Sequence, residues 1–348
     1  MRAEGPGALP VVAAPMAGGP STPELVAAVA EVGGYGYLAA GYLTAEKLAA
    51  QLAELRERSA RPFGVNLFLP PTASRSDREQ RRRDAAVDAY GRRLAPEAAA
   101  VGAELGDPHP ASDPDAGAAL DAKIAVLAAD PPHAISVTFA LPDAARFAAL
   151  RATGAALVAT VTSVEEARAA TEAGFDGLCV QGSEAGGHRG THDAAADPND
   201  TDTVDLLTAI GPATTLPMVA AGGIADAATA RRALGAGAVA VQVGTALLRC
   251  PEAGTSATHR GALADPSFSG TLVTRAYTGR PARALTTRFA VEHGHSAPSA
   301  YPEVHHLTRP MRVAAAAAGD SDRVHLWAGV HFRRAGANPA AEVVRALL

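Results

Sequence analysis

The chain has almost no cysteine, almost no lysine and few aromatic rings, and each scarcity excludes something. Cys179 and Cys250 are the 2 cysteines in 348 residues and stand far apart inside apolar runs. Two are too few for a secreted disulfide framework, so both are expected as buried thiols in a reducing, cytoplasmic compartment. Lys47 and Lys123 are the only lysines among 31 basic residues, the others being arginine; that skew, with the alanine excess, reflects genome composition. A positive balance is also missing. The net charge is -5, which argues against a nucleic-acid or anionic-membrane partner. Long apolar runs are absent: the N-terminal stretch is interrupted by Pro10, Pro15 and Gly18, and the run 313–318 is short. Neither suits a signal peptide or a spanning helix. With aromatics at 4% and hydrophobic residues at 48%, the core must come from Ala, Val and Leu, and there is enough of it to exclude a disordered chain.

What is present is an alternation. Short, nearly continuous apolar runs at 11–16, 35–40, 63–69, 134–139, 156–161, 177–181, 217–221 and 238–243 read as parallel strands buried on both faces. Helix-like segments lie between them. Ser21 with Glu24 and Ser163 with Glu166 fit capping boxes, Asp226 stands at an N-cap position, and Gly33, Gly174 and Gly237 mark helix ends. Eight such units in this length predict an α/β fold, a (β/α)8 TIM-type barrel spanning 8–265. A doubly wound sheet is the competitor. The Gly34-Tyr35-Gly36 string follows a helix and precedes a strand, the wrong order for a dinucleotide fingerprint.

Two stretches exceed a minimal barrel. Residues 70–133 hold a charged helical segment (77–94) and a Pro/Asp-rich passage (106–115), and residues 266–348 end in an expected helix from 340. Both are expected to pack over the barrel mouth as a cap or substrate domain.

In this fold the chemistry sits at the C-terminal strand ends, with phosphate commonly held by the last two loops. Those loops read Gly222-Gly223-Ile224 and Gln242-Val243-Gly244-Thr245, where glycines let backbone N–H groups approach an anion. The run Gln-Gly-Ser-Glu-Ala-Gly-Gly-His-Arg-Gly at 181–190 is too glycine-rich to pack a core and places His188 at the catalytic face. An imidazole there suits proton abstraction or an oxyanion hydrogen bond. Asn66 in an apolar strand, and Gln181, offer the donor and acceptor a heteroaromatic ring edge requires. Six of the 11 His residues, at 293, 295, 305, 306, 325 and 331, lack zinc-ligand spacing and read as surface or pocket-lining; no metal is expected. No nucleophile elbow or Walker loop occurs.

These residues carry a resemblance. Ala14-Pro15-Met16, Pro62-Phe63-Gly64-Val65-Asn66, the 181–190 run, Ala221 to Ile224, Gln242 to Thr245, Tyr277 to Arg283 and Leu326-Trp327-Ala328-Gly329 are similar to the nitronate monooxygenase family, nearly the whole chain in order. The resemblance implies FMN as cofactor, a small nitronate and O2 as substrates, a carbonyl compound and nitrite as products, and His188 as base or substrate-positioning residue. Cofactor binding then falls on Ala14, Pro15, Met16, Asn66, Gln181, Gly186, Gly187, Gly222, Gly223, Gln242, Val243, Gly244 and Thr245. Where family members often carry Asn and Gln, this chain has Thr287 and Val330. The same barrel also hosts FMN-dependent reductases that use NAD(P)H on an enoyl thioester or quinone, which is the alternative activity. A monomer or homodimer is expected.

Overall fold

The computed structural model describes residues 9–71 and 75–348. The expected barrel start at residue 8, the first residues of the N-terminal stretch and positions 72–74 of the insertion lie outside the described residues. Eight parallel strands close into a barrel: β1 (Val11–Ala13), β2 (Tyr35–Ala39), β3 (Gly64–Phe68), β4 (Ala134–Thr138), β5 (Ala156–Val161), β6 (Gly177–Gln181), then, past β7 (Gly187–His188), β8 (Met218–Ala221) and β9 (Ala240–Val243). Closure comes from β9 against β1, with Val12 opposite Gln242. All eight expected strands are therefore present, six of them shorter than their apolar runs.

Strand periodicity divides the apolar residues between two cores. Val11, Ala13 and Leu38 face the helices in the main core. Val12, Tyr35 and Tyr37 belong to a smaller cluster with Ala134, Val219 and Ala240.

Local capping differs from expectation in two places. Thr22, not Ser21, caps the helix Pro23–Glu31, accepting from Leu25 N–H at 3.0 Å. Ser163 caps Val164–Glu172, but the Glu166 carboxylate accepts from Thr162 N–H at 2.6 Å and His192 N–H at 2.7 Å instead of closing a box. Asp226 forms a full capping box with Thr229.

The insertion folds as two helices, Asp77–Ala100 and Gly117–Ala129, the first running past position 94 and through Pro96. The C-terminal region adds β10 (Thr271–Thr274) and β11 (Ala282–Leu285), which with β7 form an antiparallel sheet in the order β10-β11-β7. A separate core joins the insertion to that region: Tyr90 and Leu94 pack with Tyr277, Phe289 and Met311. No helix among the described residues is long and apolar enough to cross a membrane.

Candidate active site

A cavity of about 640 Å³ opens at the C-terminal ends of the barrel strands. Every candidate catalytic or cofactor-binding residue lines it: Ala14, Pro15 and Met16 after β1, Asn66 on β3, Gln181, Gly186, Gly187 and His188 on the glycine-rich run, Gly222 and Gly223 after β8, and Gln242, Val243, Gly244 and Thr245 at β9. Sequence-distant groups thus meet because parallel strands deliver their C-terminal ends to one face.

The loops after β8 and β9 have the chemistry of an anion cradle. Among the described residues, the backbone N–H groups of Gly223, Ile224, Gly244 and Thr245 have no acceptor within the chain. Gly222 and Gly223 adopt φ +111° and +68°, a region that side chains disfavour. A Cβ on Gly223 would also run into the Glu184 carboxylate. Donors left open on two adjacent glycine loops fit a phosphate group.

Asn66 and Gln181 are tied into the fold. The Asn66 amide nitrogen lies 2.8 Å from Ser136 Oγ and 3.0 Å from Thr138 Oγ1, which leaves its Oδ1 without a protein donor among the described residues. Gln181 pinches its own loop: Nε2 donates to the His188 carbonyl at 3.1 Å, and Oε1 accepts from Gly190 N–H at 2.7 Å. Gln242 donates to Cys179 Sγ at 3.3 Å.

His188 sits where β7 joins β11, opposite Ala282. Its Nε2 is 2.9 Å from Thr278 Oγ1, and Thr278 Oγ1 is 3.3 Å from the Arg280 carbonyl. With the Thr278 proton on that carbonyl, the hydroxyl accepts from Nε2–H and His188 keeps its Nδ1 lone pair free. Phe139, Tyr301 and Trp327 surround the imidazole with ring centroids 5.6, 5.6 and 5.3 Å away. Burial first, then the nearby Arg280 and Arg312 charges, pushes its pKa down to about 3, so the resting ring is neutral at physiological pH.

One ring away, past Tyr301 and Trp327, lies a cationic group the sequence did not assemble. Arg312, 4% exposed, donates to His325 Nδ1 at 3.0 Å and to His305 Nδ1 at 3.2 Å. A guanidinium only donates, so both imidazoles accept at Nδ1 and carry their proton on Nε2. Burial, reinforced by Arg312, holds both well below the ordinary histidine pKa. Glu184 is the one carboxylate among the lining residues, against Lys47, Arg309 and Arg312.

Thr278, Tyr42, Phe139, Tyr301 and Arg312 were not foreseen as site residues. Thr278 lies within a quoted motif, but no spacing connects positions 188 and 278; the β7–β11 pairing does. Of the C-terminal histidines, His305, His325 and His331 line the cavity. His293 instead sits with Glu97 and Glu292 in a cluster of potential metal ligands, whose Glu97 is occupied by Arg288 and Arg323 at 2.9 and 2.8 Å. Of the two departures, Thr287 lies away from the cavity, capping Arg288–Gly294 and bonding the Tyr277 hydroxyl at 2.8 Å. Val330 is on the cavity rim.

A closed (β/α)8 barrel with a glycine-loop cradle and the His188 imidazole on the cavity wall at the strand ends defines a barrel enzyme with a cofactor-sized active-site cavity. The chain belongs to the nitronate monooxygenase family, whose sequence model matches residues 7–348. It is 36% identical to a nitronate monooxygenase of Pseudomonas aeruginosa, covering 97% of this chain and 95% of that protein. It is 35% identical to one from Paraburkholderia phytofirmans, covering 97% and 91%. Among solved structures, a nitroalkane oxidase from Streptomyces ansochromogenes superposes with a TM-score of 0.90 at 46% identity, covering 97% of this chain and 94% of the other. FabK from Thermotoga maritima, at 24% identity and TM-score 0.71, shares the fold alone.

Proposed function

We propose that this protein oxidises alkyl nitronates with O2 to a carbonyl compound and nitrite, with FMN as cofactor and His188 as base or substrate-positioning residue. The observation that carries this reading is a neutral imidazole facing a cavity whose charged lining has three cations, Lys47, Arg309 and Arg312, to one carboxylate, Glu184. Such a chamber favours an anion over a neutral molecule. The open N–H groups of Gly223, Ile224, Gly244 and Thr245 suit the FMN phosphate, and Asn66 Oδ1 suits a ring N–H. When bound, the flavin supplies the electron-accepting and O2-reactive chemistry, while the protein supplies orientation and electrostatics.

His188 in this setting is matched to a nitronate already formed. Its depressed pKa makes it a weak base in the empty cavity, whereas an anion seated beside it raises that pKa and strengthens the hydrogen bond between them. Arg312, also on the cavity lining, adds attraction. Phe139, Tyr301 and Trp327 exclude water around the imidazole, which strengthens each of these interactions. The helix Asp77–Ala100 packs with the C-terminal region in a core of its own, and these two are the parts of the chain that would cap the chamber; Gly117–Ala129 and the C-terminal helix pack in the main barrel core.

Anaerobic mixing of the flavin-loaded protein with propionate 3-nitronate, and separately with NADH or NADPH, tests the reading by flavin absorbance. Bleaching by the nitronate and none by the nicotinamides is expected. Rapid bleaching by a nicotinamide with none by nitronate overturns it in favour of the reductase activity.

A further inference from the structure

The insertion reaches the cavity through one buried ion pair. Of the chain's two lysines, Lys123 is fully buried, at 0% exposure, a rare state for a lysine unless its charge is paired. Its ammonium donates to Asp115 Oδ1 and, at 3.1 Å, to the Ala40 carbonyl at the end of β2. The second oxygen of Asp115 accepts from the backbone N–H of Tyr42 at 2.8 Å. Tyr42 stands at φ +67°, in the left-handed region that a tyrosine holds only when its surroundings enforce it.

That backbone setting aims the ring. Tyr42 lies flat on His305, with centroids 4.3 Å apart and planes 3° from parallel, and meets Phe68 edge-on at 5.5 Å. Its hydroxyl is 3.4 Å from that of Tyr301. Tyr42 and His305 both line the cavity, and His305 is one of the two imidazoles that fix the Arg312 guanidinium.

We propose that Asp115, braced by Lys123, is a positioning residue: it holds Tyr42 in the left-handed conformation and so keeps the Tyr42–His305–Arg312 wall in the geometry that binds the substrate anion. The identity of that anion as a nitronate rests on the function proposed above; the positioning does not. The inserted segment thereby sets substrate affinity without touching substrate. An ion pair that merely stabilised the insertion would leave affinity unchanged in folded protein.

Removing one partner strands a buried charge, so the test replaces both. Asp115→Ala/Lys123→Met removes the two charges together, a change buried pairs often tolerate. In its crystal structure Tyr42 is expected to leave positive φ and its ring to leave His305; retention of both overturns the proposal. In turnover, KM for propyl-1-nitronate is expected to rise about tenfold with kcat unchanged. An unchanged KM overturns it. Asp115→Asn/Lys123→Met keeps an acceptor for the Tyr42 N–H and is expected to restore both geometry and KM; failure to restore them overturns it. In a Tyr42→Gly background, which has no ring to aim, the Ala/Met pair is expected to add nothing, and an equal rise there again counts against the proposal. Since the crystallographic comparisons need no turnover, they decide the positioning even if the protein proves inactive on nitronates.

Discussion

The guanidinium carbon of Arg280 lies 3.8 Å above the centroid of the Phe139 ring. Arg280 is 1% exposed and also donates to the carbonyls of Arg189, at 3.2 Å, and Thr191. Phe139, at φ +86°, presents its ring at 90° to His188. One buried cation therefore ties the glycine-rich loop to the end of β4 across the imidazole. Arg280→Lys keeps a charge but loses the planar stack and the fork geometry. The variant is expected to lose about 2–3 kcal/mol of stability by denaturant titration, from carbonyls left without their donors.

Removal of the Thr278 hydroxyl takes away the His188 hydrogen bond along with two local bonds to the Arg280 backbone. Thr278→Val conserves shape, so folding and flavin content should be retained. Turnover should fall about tenfold, the worth of one such bond. Wild-type kinetics in this variant would show that Thr278 does not orient the imidazole. His188→Ala should likewise keep its flavin yet lose activity on neutral nitroalkanes, measured by nitrite release; unchanged turnover removes His188 from the mechanism.

Adjacent glycines in the 181–190 run should respond very differently to alanine. A Cβ at Gly186 would fall 2.5 Å from the Gly329 nitrogen and 2.6 Å from the Ala328 carbonyl carbon, whereas Gly187, at φ +77°, faces open space. Gly186→Ala must push the 328–329 backbone away and is expected to lose flavin on gel filtration. Gly187→Ala incurs only the left-handed strain, about 1–2 kcal/mol, and should retain its flavin. Equal flavin content in the two variants would contradict the packing argument.

Several buried histidines give stability a definite pH dependence. His188 and His259 are pushed down to about 3 and about 4, and His305 and His325 well below their ordinary value, burial being the main cause. Unfolded histidine titrates near 6.5, so between that pH and the folded values the unfolded chain binds more protons. Their contribution is fully present above about pH 6.5 and is lost as pH falls toward about 4. Tm should therefore drop between pH 7 and 4.5, and His259→Gln should flatten part of that slope. A level Tm across the range would show that these rings are not held neutral.

Legibility in the sequence followed the range of the forces involved. Strands such as Tyr35–Ala39 and Ala156–Val161 were readable because burial on both faces writes a continuous apolar run. The glycine loops at 222–223 and 244 were readable because close backbone approach admits few other residues. By contrast, positive φ at Tyr42 and Phe139 left no trace in residue type, and the partners that meet them there, Asp115 at the Tyr42 N–H and Arg280 over the Phe139 ring, are distant in sequence. The Arg312–His305–His325 cluster was hidden for a related reason: positions 305 and 312 share a helix face, but only the return of the chain at 325 completes it.

The chain's single tryptophan, Trp327, stands in the cavity wall beside His188 and Tyr277. Every photon of intrinsic tryptophan emission therefore originates within one ring's width of the reaction chamber. Emission from the untagged protein, with no introduced label, becomes a direct optical gauge of whether that chamber is filled.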